Sequence, residues 1–262
     1  MRKKKSFGQH FLKDDTLCER IVDAAQIESG DLVVEVGPGQ GALTKYLPHD
    51  RTILVELDRD LIDDLRGRYP VTTIVHEDAT RINFDNLVGD RPWVLIGNLP
   101  YNVGNAIIMN ALRTVGAGRR SAPTHGLRRL VVMVQKEVAD RMLAPPGSNR
   151  SVLSVAVQLY GDVSRVMDVK PGSFVPPPNV MSSVIRLDIA PKADDPEVVM
   201  TIVSAGFSSR RKQLHKNLSQ AKIASSDKVK TALAHMGVRE DVRAQDVSID
   251  QWIALAEFFP NT

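Results

Sequence analysis

Hydrophobic residues in the first half of the chain follow two alternating spacings. Residues 14–28 place apolar side chains at the three- and four-residue intervals of a helix, and this spacing returns at 43–47, 57–69, 104–113 and up to residue 139. Between these segments lie short apolar runs typical of buried strands, at 31–36, 52–56, 71–75, 92–97 and 129–134. Strands that alternate with helices predict right-handed crossovers and a mostly parallel, doubly wound α/β sheet.

The pattern changes in the second half of the chain. Residues 152–160 and 180–189 have strand character with no long helix between them, which predicts an antiparallel pair that completes a seven-stranded sheet. Beyond residue 190 the helical spacing covers 197–221, 226–236 and 248–259, and Ser248 and Gln251 have the spacing of a capping box. We therefore predict two domains, an α/β domain at 1–190 and a small all-α domain at 191–262.

Candidate ligand-binding residues follow three consecutive predicted strands. The first strand ends in Glu35-Val-Gly-Pro-Gly-Gln-Gly41, a glycine turn that lets a ligand approach the backbone where a helix begins. Glu56 ends the second strand and suits the two hydroxyls of a ribose, and Asp78 follows the third and can accept from an adenine amino group. Open α/β sheets bind ligands at this edge, so the three features predict an adenosine compound.

The segment Asn98-Leu-Pro-Tyr101 follows the fourth strand and indicates the chemistry. The exocyclic amino group of a purine is a poor nucleophile, because its lone pair is delocalised into the ring. An asparagine oxygen and nearby carbonyls can accept its N–H bonds, and Tyr101 offers a ring on which a flipped base can stack. The combination predicts methylation of a base amino group, and a sulfonium methyl donor would make a general base unnecessary.

Composition and charge add a polyanionic partner to this picture. The net charge of the 262 residues is only +3, but no acid occurs in 1–13, 91–136 or 198–226, windows that hold half of the 34 basic residues. Such segregation predicts a basic face toward a nucleic acid. The chain has no apolar run long enough for a membrane helix, and it has a single cysteine, Cys18. We expect a cytoplasmic, monomeric protein without a metal ion.

Five motifs in one order resemble a known family. They are Phe7-Gly-Gln-His-Phe-Leu12, Glu35–Gly41, Asn98–Tyr101, Phe174-Val-Pro-Pro-Pro-Asn-Val180 with Ser182 or Ser183, and Phe207-Ser-Ser-Arg-Arg-Lys212. Over essentially the whole chain they resemble the KsgA (RsmA) family of small-subunit ribosomal RNA adenine dimethyltransferases. The resemblance implies a Rossmann-like class I methyltransferase sheet, with S-adenosyl-L-methionine as the cofactor.

The resemblance also implies roles for individual residues of the cofactor site. His10 and Leu12 would close over S-adenosylmethionine, and Gly37 and Gly39 would lie under its methionine portion. The residues that would complete the site, from ribose and adenine to the transferred methyl group, are Glu56, Leu57, Asp78, Ala79 and Asn98. Many family members have asparagine where this chain has His10.

For the reaction, the resemblance implies two successive methyl transfers to N6 of each of two adjacent adenosines, in a hairpin near the 3′ end of small-subunit (16S) ribosomal RNA. Asn98 and the carbonyls of Leu99 and Pro100 would hold the target amino group. Tyr101 and Phe174 would sandwich the base. The partner would be this RNA or an immature small ribosomal subunit.

Basic residues are the candidates for contact with RNA phosphates. The predicted RNA-binding residues are Lys3, Lys4, Lys5, Arg119, Arg120, Arg210, Arg211, Lys212 and Lys216. The pairs Arg119-Arg120 and Arg128-Arg129 flank a loop that we expect beside the active site, where phosphate contact is expected. Helical spacing also places Lys212, His215, Lys216 and Lys222 on one basic face.

Two alternatives remain open at the level of the sequence. An Erm-type enzyme would have the same catalytic fold but would methylate an adenine of the large-subunit RNA. An assembly factor would bind RNA, and its methylation would be dispensable. The segment that begins at Phe207 resembles KsgA more than Erm, and the intact Asn98–Tyr101 and Glu56 argue for retained catalysis.

Overall fold

The computed structural model describes residues 10–115 and 126–260, which form two compact units. The first contains the described parts of Met1–Val115, Ser121–Ala139 and Val163–Ile189. The second contains Asp140–Asp162 and the described part of Ala190–Thr262. One limit between the units thus falls next to residue 190, and the segment Asp140–Asp162 belongs with the C-terminal helices.

The strands of the described residues form two sheets. In chain order they are β1 (Phe11–Leu12), β2 (Leu32–Val36), β3 (Thr52–Glu56), β4 (Thr73–His76), β5 (Pro92–Asn98), β6 (Gly126–Gln135), β7 (Gly161–Val169), β8 (Phe174–Val175) and β9 (Ser182–Ile189). The larger sheet has the order β4-β3-β2-β5-β6-β9-β7, with antiparallel pairing confined to β6-β9-β7. The small sheet pairs β1 with β8 in antiparallel fashion. The mixed seven-stranded sheet confirms the predicted fold class.

Helices connect most of these strands. In chain order they are α1 (Asp15–Ala25), α2 (Arg59–Arg68), α3 (Phe84–Val88), α4 (Gly104–Leu112), α5 (Lys136–Met142), α6 (Val152–Tyr160), α7 (Pro196–Gly206), α8 (Leu214–Gln220), α9 (Ser226–His235) and α10 (Ile249–Phe258). The helix predicted at 43–47 is a single 3-10 turn, Thr44–Tyr46. The described helices include none that is long and apolar enough to cross a membrane.

The core of the first unit lies on both faces of the parallel strands. Helix α1 buries Ile21 and Ala25 in one cluster with Val33 of β2 and Val94 of β5. Val34, the next residue along β2, points to the opposite face and is also fully buried. Both faces are therefore covered, which explains why the strands appear in the sequence as continuous apolar runs without alternation.

The strand predicted at 152–160 is wrong, because this segment is helix α6. Ser151 caps the helix, and its hydroxyl accepts from the backbone N–H of Ser154 while the Ser154 side chain accepts from the backbone N–H of Ser151. Nearly every side chain of α6 is buried. A helix that is buried all round has the same apolar run as a buried strand, so the periodicity did not distinguish them. The second neighbour of β9 in the large sheet is instead β7, a polar segment that the pattern did not indicate.

The second unit is helical apart from the start of β7. The continuous helix predicted at 197–221 is wrong in its middle, because α7 ends at Gly206 and α8 begins at Leu214. The intervening turn is held by Asn217, whose fully buried amide donates to the carbonyls of Gly206 (2.5 Å) and Ser209 (2.9 Å). At the start of α10 the capping box of Ser248 and Gln251 is present as predicted.

Candidate active site

The glycine turn after β2 brings two other elements close to it. Gly37 and Gly39 have φ angles of +69° and +57°, which L side chains rarely adopt. A Cβ on Gly39 would lie 3.0 Å from the ring of Phe11, so a side chain here would displace β1. At Gly97 of β5, a Cβ would lie 2.4 Å from the carbonyl oxygen of Val36. The absence of side chains at these positions lets β1, β2 and β5 converge on one point.

The end of β3 is joined to this turn by the carboxylate of Glu56. Its Oε2 accepts from the backbone N–H of Gly39 at 3.1 Å, and its Oε1 accepts from those of Leu57 and Asp58 at 2.9 Å. Glu56 is only 5% exposed. The carboxylate is thus held in one orientation by the backbone, and one lone pair, on Oε2, remains available to a ribose hydroxyl.

A second carboxyl group, Glu35 of β2, lines the same cavity. It is buried, and its Oε2 accepts from the Thr44 hydroxyl at 2.7 Å. Burial raises the pKa of Glu35 to about 8, and the nearby Glu56 charge adds to the rise. Glu35 is therefore mostly protonated at neutral pH. Its position at the first residue of the glycine motif was the sequence signal, but it was not among the predicted site residues.

Asp78 lies after β4, with one side of its carboxylate already bound. Its Oδ1 accepts from both the hydroxyl of Thr80 (2.7 Å) and its backbone N–H (2.9 Å). These hydrogen bonds lower the pKa of Asp78, so it is ionised at neutral pH. The other oxygen is left for a donor such as an adenine amino group.

A pocket that is open to solvent lies between these elements. Its lining residues are His10, Phe11, Leu12, Glu35, Gly37, Pro38, Gly39, Gln40, Ala42, Leu43, Glu56, Asn98, Leu99, Pro100 and Tyr101. Most of the predicted catalytic and cofactor-binding residues thus surround one pocket, whereas Leu57, Asp78, Ala79 and Phe174 are not part of its lining.

The donors and acceptors around this cavity fit S-adenosylmethionine, which carries a sulfonium and an ammonium cation. Glu56 supplies a carboxylate, whereas the mostly protonated Glu35 adds little charge, and the described lining residues include no lysine or arginine. The glycine turn provides close access to the backbone, and Leu57, 48% exposed beside Glu56, offers an apolar surface. The described residues contain no cluster of three His, Cys, Asp or Glu side chains that could hold a metal ion.

Asn98 ends β5 with its side-chain amide already oriented. The Nδ2 donates to the main-chain carbonyl of His10 at 2.8 Å, and none of the described residues donates to Oδ1. Downstream, the N–H of Leu99 donates to the carbonyl of Met133 in β6 at 3.2 Å. The side-chain oxygen of Asn98 is thus free to accept from a substrate.

The carbonyl of Pro100 is already engaged in starting α4. It accepts from the backbone N–H groups of Val103 (3.2 Å) and Gly104 (2.9 Å). A carbonyl has two lone pairs, so a target amino group would have to compete with these two bonds. The role of this carbonyl stays a prediction, and Asn98 and Leu99 are the less occupied acceptors of the turn.

The two rings predicted to sandwich a base both contact the imidazole of His10. The centroid of that imidazole lies 5.6 Å from the Tyr101 ring and 6.5 Å from the Phe174 ring. The Nδ1 of His10 is 2.8 Å from the carbonyl oxygen of Pro176, and Phe174 is only 1% exposed. A base that stacks on both rings therefore has to displace the imidazole.

The predicted RNA-binding residues that the structure describes lie in or beside the turn between α7 and α8. Arg210, Arg211, Lys212 and Lys216 are all exposed. Lys3, Lys4, Lys5, Arg119 and Arg120 lie outside the described residues. Within the second unit, Arg210 donates to the carbonyls of Ser148 (2.8 Å) and Arg150 (3.3 Å).

Three basic residues expected near RNA have structural partners instead. Arg128 forms ion pairs with Glu28 (2.5 Å) and Asp31 (2.9 Å), and Arg129 pairs with Asp188 (2.5 Å) and is mostly buried. We therefore replace the expected phosphate contact of Arg128 and Arg129 with a structural role. The expectation also fails for His215, which is buried.

The ring of His215 is held by two neighbours in the second unit. Its Nδ1 lies 2.7 Å from the Ser226 hydroxyl, and its Nε2 lies 3.1 Å from Gln213 Oε1. Desolvation lowers its pKa, with Lys230 and Lys216 lowering it further. His215 is therefore a neutral side chain inside the helical unit, and not part of an exposed basic face.

Comparison with known proteins identifies the family. Residues 1–261 match the family model described as ribosomal RNA adenine dimethylase. This chain belongs to that family. It is therefore a ribosomal RNA adenine methyltransferase that uses S-adenosylmethionine.

Proteins that are similar to this dimethylase in sequence or in structure agree with the match. The chain is 38% identical to ribosomal RNA small subunit methyltransferase A of Synechococcus elongatus (97% of this chain, 94% of the relative) and 40% identical to that of Xanthomonas campestris (97% and 95%). A dimethyladenosine transferase from Plasmodium falciparum superimposes with a TM-score of 0.74 at 25% identity (94% and 96% covered). The 23S rRNA methyltransferase ErmE gives 0.68 at 26% identity (96% and 100%).

Proposed function

We propose that this dimethylase transfers two methyl groups to N6 of each of two adjacent adenosines, in a hairpin near the 3′ end of small-subunit ribosomal RNA. The observation that carries the proposal is the Asn98 amide, whose oxygen is presented beside a cavity with a carboxylate suited to ribose. The relatives named ribosomal RNA small subunit methyltransferase A support the choice of RNA.

The target amino group is held by Asn98 Oδ1 together with the main-chain carbonyl of Leu99. Accepting both N–H bonds draws the nitrogen lone pair out of conjugation with the purine ring, so the nitrogen becomes nucleophilic. The fixed hydrogen bond from Asn98 Nδ2 to His10 keeps the oxygen in place without reorganisation. No basic side chain is required, because the methylated nitrogen is cationic and loses its extra proton to water.

The cofactor is held by groups on three strand ends. Glu56 binds a ribose hydroxyl, Asp78 accepts from the adenine amino group, and the backbone of Gly37 and Gly39 supports the methionine portion. When bound, S-adenosylmethionine supplies an electrophilic methyl group on a positively charged sulfur. Tyr101 and Phe174 hold the flipped base after the imidazole of His10 has moved aside.

The second unit serves to bind the RNA. Its exposed turn carries Arg210, Arg211 and Lys212 next to Lys216 of α8, and such residues contact phosphates without reading the bases. We assign catalysis to the predicted domain at 1–190, apart from Asp140–Asp162, which belongs to the second unit, and RNA binding to the predicted domain at 191–262. The protein acts as a monomer on immature small subunits in the cytoplasm, where this substrate is found.

A large-subunit RNA is the second candidate substrate, because ErmE has a similar structure. Purified small and large subunits that lack the modification should be incubated in parallel with the protein and labelled cofactor. We expect label on the small subunit alone. Label confined to the large subunit would overturn the proposed substrate while leaving adenine methylation intact.

A further inference from the structure

The hydroxyl of Tyr101 is held by a buried serine from a distant part of the chain. Tyr101 Oη and Ser182 Oγ lie 2.6 Å apart, which is a short hydrogen bond between residues 81 positions apart in sequence. Ser182 is fully buried and does not line the cofactor cavity. Burial raises the pKa of Tyr101, so the phenol keeps its proton at neutral pH and the bond persists there.

The backbone around Ser182 is fixed independently of Tyr101. Ser182 begins β9 opposite Gln135, the last residue of β6. Immediately before it, the carbonyl of Met181 accepts from the N–H of Lys136 at 2.9 Å. The serine hydroxyl is therefore a rigid anchor point, attached to the same strand, β6, that holds the N–H of Leu99.

An anchored hydroxyl restricts the swing of a tyrosine side chain about its Cα–Cβ bond. The ring of Tyr101 is partly exposed, and its aromatic neighbour is the imidazole that the base replaces, so the bond to Ser182 is what remains to hold the hydroxyl end of the ring in place. With the para oxygen held at Ser182, the ring cannot swing about the Cα–Cβ bond, so its position is set before the base arrives. Stacking on a ring held in place positions the amino group correctly relative to Asn98.

We propose that Ser182 is a positioning residue for methyl transfer, which acts through Tyr101 by holding its ring in the place where the target base stacks on it. This inference rests on the proposed function, in which Tyr101 contacts the base. Ser182 itself touches neither the base nor the cofactor. Its contribution should appear in kcat and in base stacking, and not in binding of the cofactor.

The next residue offers a matched control. Ser183 is equally buried, and its hydroxyl donates to Asp168 Oδ1 at 2.6 Å on the opposite face of β9. Ser183→Ala therefore removes a comparable buried hydrogen bond from the same strand without touching Tyr101. Similar decreases in the thermal midpoints of Ser182→Ala and Ser183→Ala would show that the two changes disturb the fold equally.

The experiment measures kcat, the KM for the cofactor, and the fluorescence of bound RNA that carries 2-aminopurine at the first target position. We expect Ser182→Ala and Tyr101→Phe each to lower kcat about tenfold, because misplacing a reacting group slows the reaction. Both should leave the KM for the cofactor unchanged and weaken the quenching of 2-aminopurine. The double variant should be no slower than either single variant, while Ser183→Ala should stay close to wild type.

Two results would overturn the inference. One is an equal loss of kcat in Ser182→Ala and Ser183→Ala, which would indicate a general effect on β9. The other is a double variant whose loss is the product of the two single losses, because Ser182 would then act independently of Tyr101. A wild-type protein that does not methylate small-subunit RNA would instead overturn the proposed function, and this inference with it.

Discussion

Several polar side chains of the candidate site are half occupied by the protein itself. Glu56 is held by three backbone N–H groups, Asp78 has one oxygen bound by Thr80, and Asn98 has its nitrogen bound to the carbonyl of His10. In each case these bonds hold the remaining lone pairs in a fixed orientation. Because these groups need no reordering on binding, they suit a site that discriminates by hydrogen bonds.

The first prediction concerns Asn98→Ala. Removing the oxygen that accepts from the target amino group should lower kcat by about 10²- to 10³-fold, as for the loss of other preorganised polar groups. RNA affinity should stay within about twofold of wild type, because phosphate contacts supply most of it. Single-turnover methylation and RNA titration measure the two quantities. A loss of affinity as large as the loss of activity would contradict this division of roles.

The second prediction concerns the pH dependence of stability through Glu35. In the unfolded chain this carboxyl ionises near 4.5, but in the folded protein its pKa is about 8. Between these values folding takes up a proton, so the free energy of unfolding contributed by Glu35 falls as pH rises and levels off above about pH 8. Glu35→Gln stays neutral and should remove this decline.

Thermal unfolding of the cofactor-free wild type and Glu35→Gln across this window measures the effect. The difference between the two proteins is the relevant quantity, because the lowered pKa of His215 makes stability rise with pH in the same region. We expect the thermal midpoint of Glu35→Gln, relative to that of the wild type, to rise by several degrees between the two ends of this pH window. One kcal/mol of stability corresponds to about 2–4 °C for a protein of this size. Parallel curves would show that Glu35 is ionised in the folded protein.

The sequence allowed some of these residues to be predicted and not others. Glu56 and Asn98 were predictable because each ends a recognisable buried strand, and the ends of parallel strands meet at one edge. The contact of Ser182 with Tyr101 and the imidazole of His10 between two rings were not. They depend on β1, β8 and β9, whose placement near the site arises only in the tertiary structure.

At the scale of elements, the first five strands of the large sheet, β2 to β6, were predictable from the sequence. Some of the elements after β6 were not. Parallel strands and the helices that cover them have distinct spacings, which is why β2, β3 and β5 were found nearly to the residue. Helix α6 is apolar on nearly all sides and therefore resembles a buried strand, whereas β7 is polar and only partly buried and therefore lacks the apolar run that marks a strand. The capping serine at residue 151 was the signal that could have decided for a helix.

The turn between α7 and α8 depends on a close approach of two helices. A Cβ on Gly206 would lie 2.6 Å from Cη2 of Trp252 and 2.9 Å from Cδ1 of Leu214. Glycine therefore lets α7 end against α10 and begin the turn that carries Arg210–Lys212. Asn217 then fixes the turn through the carbonyl of Gly206.

The third prediction is that Gly206→Ala destabilises the protein by about 1–3 kcal/mol through overpacking and weakens RNA binding by shifting the turn. Gly67→Ala is the matched control, because it lies near the end of α2 with no atom within 4 Å of the added Cβ. Alanine there should stabilise the protein by about 0.5 kcal/mol. Chemical unfolding measures the stability of the two variants, and RNA titration measures the affinity of Gly206→Ala. A Gly206→Ala protein as stable as wild type would contradict the packing argument.

At the scale of the whole molecule, a window without acids in the sequence is not the same as a basic surface. Arg128, Arg129 and Lys136 of the window 91–136 reach carboxylates supplied by other segments of the first unit. In contrast, Arg211 and Lys216 of the third window are exposed, and the structure shows no carboxylate partner for either among the described residues. Only the second kind of charge is available to RNA.

The fourth prediction uses the salt dependence of RNA affinity to separate these two kinds. Arg211→Gln and Lys216→Gln should each weaken binding and reduce the slope of log affinity against log salt by about 0.7–1. Arg129→Gln should leave the slope unchanged and lower the thermal midpoint, because it breaks the ion pair with Asp188. A reduced slope for Arg129→Gln would show that Arg129 contacts RNA phosphates after all.

The central claim is that this family member dimethylates adenosines of small-subunit RNA. The most direct measurement is to incubate the protein and S-adenosylmethionine with small subunits that lack the modification, and then to map the methylated nucleotides. We predict N6,N6-dimethyladenosine at two adjacent positions of one hairpin near the 3′ end, and none with Asn98→Ala. Methylation at a different site, or only on large-subunit RNA, would contradict this account.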